Sequence, residues 1–190
     1  MLTLSFDGLY RKLPEKEEQI WKAGFMCYGW LILQSNIPIA QGHGVFARSQ
    51  DANSNIAEFL ALIEGLDALQ DFAITGEPVC VCGDAKTIID QMRGASQVHA
   101  ANVRPLYRRA RTLACRFTHI EWKWLPRQNN RLADDLTRKA LRQIRHDQLN
   151  YSAAVQAVTT PTSHLAQSGR LLQVLDLRVY NSVQPAIYSG

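Results

Sequence analysis

The hydrophobic period of this chain first changes from two to 3.6 around Asn53-Ser54-Asn55. Ahead of that point the apolar residues alternate or run as β-rich stretches. Leu2, Leu4 and Phe6 alternate with Thr3, Ser5 and Asp7, which predicts a short strand stopped by Asp7-Gly8. A charged, proline-containing segment, Arg11 to Gln19, reads as a loop. Lys22 to Leu33 and Ile37 to Arg48 flank Ser35-Asn36 as a hairpin, so the chain opens with a three-stranded meander. Beyond Asn53-Ser54-Asn55, which offers N-cap candidates, Ile56 to Phe72 carries helical periodicity. Pro78 to Cys82 reads as a buried strand and Ala85 to Arg93 as a second helix. An arginine-rich third helix over Ala100 to Arg116, a strand over Phe117 to Leu125 and a last helix over Asn130 to Arg145 follow. The order β-β-β-α-β-α-α-β-α requires a mixed sheet, hairpin-linked at first and joined by crossover helices afterwards.

With 190 residues, 46% hydrophobic and 20% charged, the chain can pack a core, which excludes global disorder. No apolar run approaches the ~18 to 20 residues that cross a bilayer. The first residues, Met1 to Phe6, lack the pattern of a secretory leader. Cys27, Cys80, Cys82 and Cys115 have no metal-finger spacing, so reduced thiols in a cytoplasmic setting are expected. Past about residue 150 the character changes. Thr159-Thr160-Pro161-Thr162-Ser163 and Ser168-Gly169 resemble a linker, and Leu171, Leu175, Leu177, Val179 and Val183 share a strand parity. The expected division is therefore 1–148 as the main domain and 149–190 as an extension. Its strand, over 171–183, would add to a sheet edge or to another subunit in a homodimer.

The net charge of +4 conceals an asymmetry: residues 1–95 hold 7 Lys and Arg against 12 Asp and Glu, while residues 96–190 hold 14 against 5. An acid-rich half and a basic half suit a polyanion gripped in one place and met by cations in another. Four carboxylates invite a functional reading. Asp7 follows an apolar strand, although an Asp-Gly turn would also place it there. Asp84 ends a strand and precedes a helix, where it would equally serve as an N-cap. Asp134 falls in the first turns of the last helix, where the helix dipole favours it. Glu58 is harder to explain structurally, because it heads the helical face Glu58, Ala61, Leu62, Gly65, Leu69 that should pack on the sheet, with Gly65 permitting close approach. A buried carboxylate without a partner costs several kcal/mol or takes up a proton, so something cationic is expected beside it.

Four segments together resemble ribonuclease H of type 1 in its compact form, over about Leu4 to Leu141. They are Phe6-Asp7-Gly8, Asn55-Ile56-Ala57-Glu58-Phe59 with Ala61 to Leu66, Gly83-Asp84-Ala85-Lys86, and Pro126 to Leu136. The resemblance implies an α/β fold: a five-stranded mixed sheet, its first three strands antiparallel, with helices on both faces. It implies catalytic, metal-holding carboxylates at Asp7, Glu58, Asp84 and Asp134. Periodicity does not separate Asp134 from Asp135; the family pattern Asn-x-x-Ala-Asp-x-Leu, met by Asn130, Ala133, Asp134 and Leu136, selects Asp134. The implied reaction is hydrolysis of the RNA strand of an RNA–DNA hybrid, leaving 5′-phosphate and 3′-hydroxyl ends. All-oxygen ligands favour two Mg²⁺ ions, with Mn²⁺ as a substitute. Asn55, three residues before Glu58, is the first candidate for a 2′-hydroxyl contact as well as a capping candidate, and backbone groups near Gly8 come next. Arg104, Arg108 and Arg111, on a helix that also carries Arg109, would serve phosphate contacts, although their spacing equally fits a solvated face.

The chain departs from the family in two places. The loop Leu125 to Asn129 has no histidine where the best-studied bacterial members carry one, and only Gly94 to His99 stands where long members insert a basic handle. A non-catalytic hybrid-binding module and a DNA-cleaving nuclease of the same fold are the alternatives. The first predicts loss of an acidic position, and all four are present. The second lacks the Asn-x-x-Ala-Asp-x-Leu signature.

Overall fold

A computed structural model describes residues 1–13, 23–72 and 77–181. The meander forms as the alternation predicts: β1 (Leu2–Lys12), β2 (Gly24–Gln34) and β3 (Ile37–Arg48) pair antiparallel. Ser35 and Asn36 turn the hairpin with φ of +50° and +66°, the left-handed pair that matches strand twist. Helix α1 (Ser54–Leu69) crosses to β4 (Val79–Gly83), which lies parallel to β1. Helices α2 (Lys86–Arg93) and α3 (Arg104–Ala114) lead to β5 (Ile120–Trp124), parallel to β4, and then to α4 (Arg131–His146). The charged loop expected over Arg11 to Gln19 lies largely outside the described residues, and its first two residues belong to β1.

Three expectations change. Asp7-Gly8 does not stop the first strand; both residues sit inside β1, opposite Gly29 and Tyr28. The ladder continues because Gly8 is used for close packing and not for a turn: a Cβ there would lie 2.2 Å from the backbone nitrogen of Glu58. The sheet also has six strands and not five, in the order β5-β4-β1-β2-β3-β6. β6 (Leu172–Tyr180) pairs antiparallel with β3 of its own chain, His43 opposite Leu177. The stretch read as a linker, Thr159 to Ser163 with Ser168-Gly169, follows α5 (Gln148–Thr159) and flanks α6 (His164–Ser168). Its Thr, Pro and Ser residues bound helices: Ser163 Oγ accepts the Ala166 N–H as the N-cap of α6.

The strand period sorts β2 onto two cores. Met26, Tyr28, Trp30 and Ile32 pack with Leu2, Leu4 and Phe6 under α1, α2 and α3, whereas Phe25 and Cys27 pack with α4 and α5 residues Ala140, Ile144, Ala154 and Val158. Helices therefore cover both faces, and the extension shares the second core. It also reaches α1: Arg178 Nη2 lies 2.7 Å from Oε2 of buried Glu64, and its Nη1 3.3 Å from Oδ2 of Asp67. Ser49, fully buried just ahead of α1, donates to the Leu165 and Ala166 carbonyls. No described helix is long and apolar enough to cross a membrane.

Candidate active site

The last β1–β4 pair is Phe6 with Gly83, so Asp7 and Asp84 are the first residues beyond the parallel ladder. A notch opens there between the diverging strands. Helices close it from both faces, and a glycine admits each one. Gly8, facing α1, lets the first turn of that helix reach the strand. Gly29, paired with Asp7 and facing the other way, lets α4 approach until a Cβ would lie 2.6 Å from the Ala133 carbonyl. Gly65 does the same farther along α1, against Leu4 and Trp30, as the helical stripe predicts.

Asp7, Glu58 and Asp84 come together, each with a carboxylate oxygen within 4.8 Å of the others. Asp7 is 4% exposed. It accepts a 3.2 Å hydrogen bond from Thr137 Oγ1. Burial, then repulsion from Asp84 and Asp134, pushes its carboxyl from the usual 3.8 up to about 7. Burial and the charges of Asp7 and Asp84 drive Glu58 well above its ordinary range, with the Gly8 N–H and Arg127 only partly offsetting them. Glu58 Oε2 is buried without a hydrogen-bond partner among the described residues. The cation expected beside Glu58 is not found among the described residues: no described Lys or Arg lies within ion-pair distance of these three carboxylates. Three converging carboxylates and an orphaned buried oxygen fit a hard divalent cation.

Asp84 does not cap α2; Ala85 holds the N-cap position without a side-chain bond. The Trp124 indole N–H donates to the Asp84 carbonyl at 3.0 Å. Asn130 Nδ2 donates to the Phe6 carbonyl at 2.8 Å and to Asp84 Oδ1 at 3.3 Å, fastening the start of α4 to both strands of the notch. Asp134 stands apart from the cluster. Its Oδ1 accepts from Arg127 Nη2 at 2.9 Å and its Oδ2 from Arg138 Nε at 2.7 Å. Burial works against the Asp134 charge, but the bonds from Arg138 and Arg127 outweigh it and hold the carboxyl below its usual range. Sequence reasoning singled out neither Thr137 nor Arg138. Their signal is spacing, since both follow Asp134 by about one helical turn.

Asn55 is exposed and unbonded, one turn ahead of Glu58. The capping role belongs to Asn53, whose side chain accepts the Ile56 N–H at 3.1 Å. The α3 arginines part company. Asn102 donates to the Asp51 carbonyl at 3.5 Å, and Arg116 at the far end of α3 binds Gln70 at the far end of α1, so the two helices run parallel. Arg104 is therefore at the end nearest Asn55, where its Nε donates to Val98, whereas Arg111 binds the Met92 carbonyl at the C-terminus of α2. Arg108 is exposed between them.

Comparisons with known proteins agree with this architecture. The chain is 32% identical over 119 residues to the "Bifunctional protein Rv2228c" of Mycobacterium tuberculosis, covering 63% of this chain but only 31% of that one. The chain thus spans about a third of that relative's length. It is 31% identical over 137 residues to a "Ribonuclease HI" of Halobacterium salinarum, covering 72% of this chain and 62% of the other. Among solved structures, the N-terminal RNase H domain of the mycobacterial protein aligns with TM-score 0.62 and 27% identity, over 83% of this chain and 98% of that one. The halobacterial RNase H1 aligns with TM-score 0.62 and 27% identity, over 75% and 98%. The family model described as "Reverse transcriptase-like" matches residues 27–140, more than half of the sequence, and with these ribonuclease H neighbours it shows that the chain belongs to that family and carries its ribonuclease H-like domain.

Proposed function

We propose that this protein is a metal-dependent endoribonuclease that hydrolyses the RNA strand of RNA–DNA hybrids and leaves 5′-phosphate and 3′-hydroxyl ends. The observation that carries the reading is the convergence of Asp7, Glu58 and Asp84 around a buried, unpartnered oxygen with no Lys or Arg within ion-pair distance among the described residues. The likeness to proteins named as ribonuclease H supports an RNA–DNA hybrid as the substrate class.

Asp7, Glu58 and Asp84 would hold Mg²⁺ or Mn²⁺, with Asp134 completing a two-ion set. Bound there, the ions supply Lewis acidity for displacement at a phosphodiester. The residues around them do the positioning. Thr137 orients Asp7, the Gly8 N–H orients Glu58, and Asn130 ties Asp84 to β1. Asn55, exposed one turn ahead of Glu58, and the Gly8 backbone would make the 2′-hydroxyl contacts that separate RNA from DNA. Arg104, and Arg108 beyond it, would meet phosphates; Arg111, committed to Met92, contributes less.

The test compares cleavage of a labelled hybrid with matched single-stranded RNA, double-stranded RNA and DNA duplex, in Mg²⁺, Mn²⁺ or chelator, for wild type and Asp84→Asn. Cleavage confined to the hybrid's RNA strand, abolished by chelator and by the substitution, is expected. Binding of the hybrid without cleavage, or cutting of duplex DNA, would overturn the reading.

A further inference from the structure

Asp134 differs from the other three carboxylates in already having cations. Both of its oxygens are engaged: Oδ1 by Arg127 at 2.9 Å and by Arg138 Nη2 at 3.4 Å, Oδ2 by Arg138 Nε at 2.7 Å. The two arginines approach from different elements. Arg138 is one turn along α4, and Arg127 lies in the 3₁₀ turn Arg127–Asn129 that precedes the helix. Both side chains are more than half exposed, whereas that of Asp134 is 16% exposed, so the carboxylate is fixed and the guanidinium groups can leave. A bidentate guanidinium fork and a hard divalent ion want the same lone pairs. Neither can bind fully while the other stays.

We infer that Arg127 and Arg138 are positioning residues that act as an internal counter-cation, holding Asp134 out of the metal cluster and making capture of a second divalent ion depend on their displacement. The inference rests on the proposed metal-dependent reading of the site. It divides the site in two: Asp7, Glu58 and Asp84 have no Lys or Arg within ion-pair distance among the described residues, while Asp134 is already paired with two arginines. The first ion should therefore bind more tightly than the second. Arg127 is the more telling of the pair, because its charge also reaches Asp7, Asp84 and Glu58. It occupies the loop that lacks the histidine carried by the best-studied bacterial members of the family it resembles, so the residue substituting there is a cation that must move and not a titrating base.

The experiment is calorimetric titration of MnCl₂ into the substrate-free protein at low ionic strength, for wild type, Arg127→Gln, Arg138→Gln and Arg127→Lys. Two binding events are expected in wild type. Each glutamine variant should tighten the weaker one by roughly two- to fivefold, the worth of a partly exposed ion pair, and change the tighter one less, Arg127→Gln moving it more than Arg138→Gln because the Arg127 charge also reaches Glu58. Arg127→Lys, which keeps the charge, should restore the weak second event. Thermal melting without metal verifies that each variant is folded, and the two glutamine variants test the same competition from separate elements. An unchanged or weakened second event in both would overturn the inference while leaving the metal site standing. Absence of any Mn²⁺ binding by wild type would instead remove the metal site itself, and the inference with it.

Discussion

The cluster should make the metal-free protein less stable at neutral pH than in mild acid, and Asp7→Asn should expose that cost. Asp7 titrates near 3.8 in an unfolded chain and about 7 in the fold. The folded state therefore holds on to a proton that the unfolded state releases, and the stability associated with Asp7 is fully present below about pH 4 and lost as pH rises through about 7. The difference amounts to about 4 kcal/mol, a large fraction of a typical folding free energy. Asparagine mimics the protonated carboxyl in shape, and its Oδ1 can still accept from Thr137 Oγ1. In chelator, urea unfolding near pH 8 should find Asp7→Asn more stable than wild type by about 2 to 4 kcal/mol, with the gap closing toward pH 4. Millimolar Mg²⁺ should also narrow the gap by stabilising wild type selectively, because an ion binding only the folded state adds stability by mass action. The variant should be inactive throughout, a trade of function for stability. The reasoning fails if the substitution destabilises the metal-free protein at every pH, or if the difference from wild type does not change with pH.

Two further outcomes follow from contacts outside the cluster. Arg178→Met removes the cation beside Glu64, whose side chain is 7% exposed, and should cost roughly 2 to 4 kcal/mol in urea unfolding at neutral pH. Burial already raises the Glu64 carboxyl, with Arg178 pulling it back, so the loss should shrink in acid, and the double variant with Glu64→Gln should recover much of it. Asn53→Ala should cost about 1 kcal/mol as a lost helix cap, whereas Asn55→Ala should leave stability within about 0.5 kcal/mol. Only Asn55→Ala should weaken the preference for hybrid over DNA duplex, measured by binding in an Asp84→Asn background.

Much of this fold is legible in the sequence because local periodicity decides it. The alternation of Leu2, Leu4 and Phe6, the Ser35-Asn36 turn and the α1 stripe that runs through Gly65 to Leu69 all depend on neighbours within a few residues. What the sequence hides depends on register. Gly29 carries no local signal, yet it faces Asp7 across the ladder and admits α4; that pairing exists only once β1 and β2 are aligned. Asn130 belongs to a recognisable motif, but its bonds to Phe6 and Asp84 span more than 40 residues at the least. In the extension, parity revealed the strand but not its partner, and Thr-Thr-Pro-Thr-Ser read as a linker because helix boundaries use the same residues as flexible chain.

Glu58 and Glu64 show the limit most sharply. They lie six positions apart on one helix, and both bring a carboxylate into the packed side of α1. Glu64 receives Arg178 from a strand more than a hundred residues away and becomes a structural tie between α1 and β6. Glu58 receives Asp7 and Asp84 and, among the described residues, no cation within ion-pair distance, so the Gly8 N–H and the more distant Arg127 offset its charge only in part. Sequence can report that a carboxylate has no nearby cation, but both residues satisfy that description. The fold separates them by delivering a cation to one and further acids to the other, and that difference distinguishes a brace from a site.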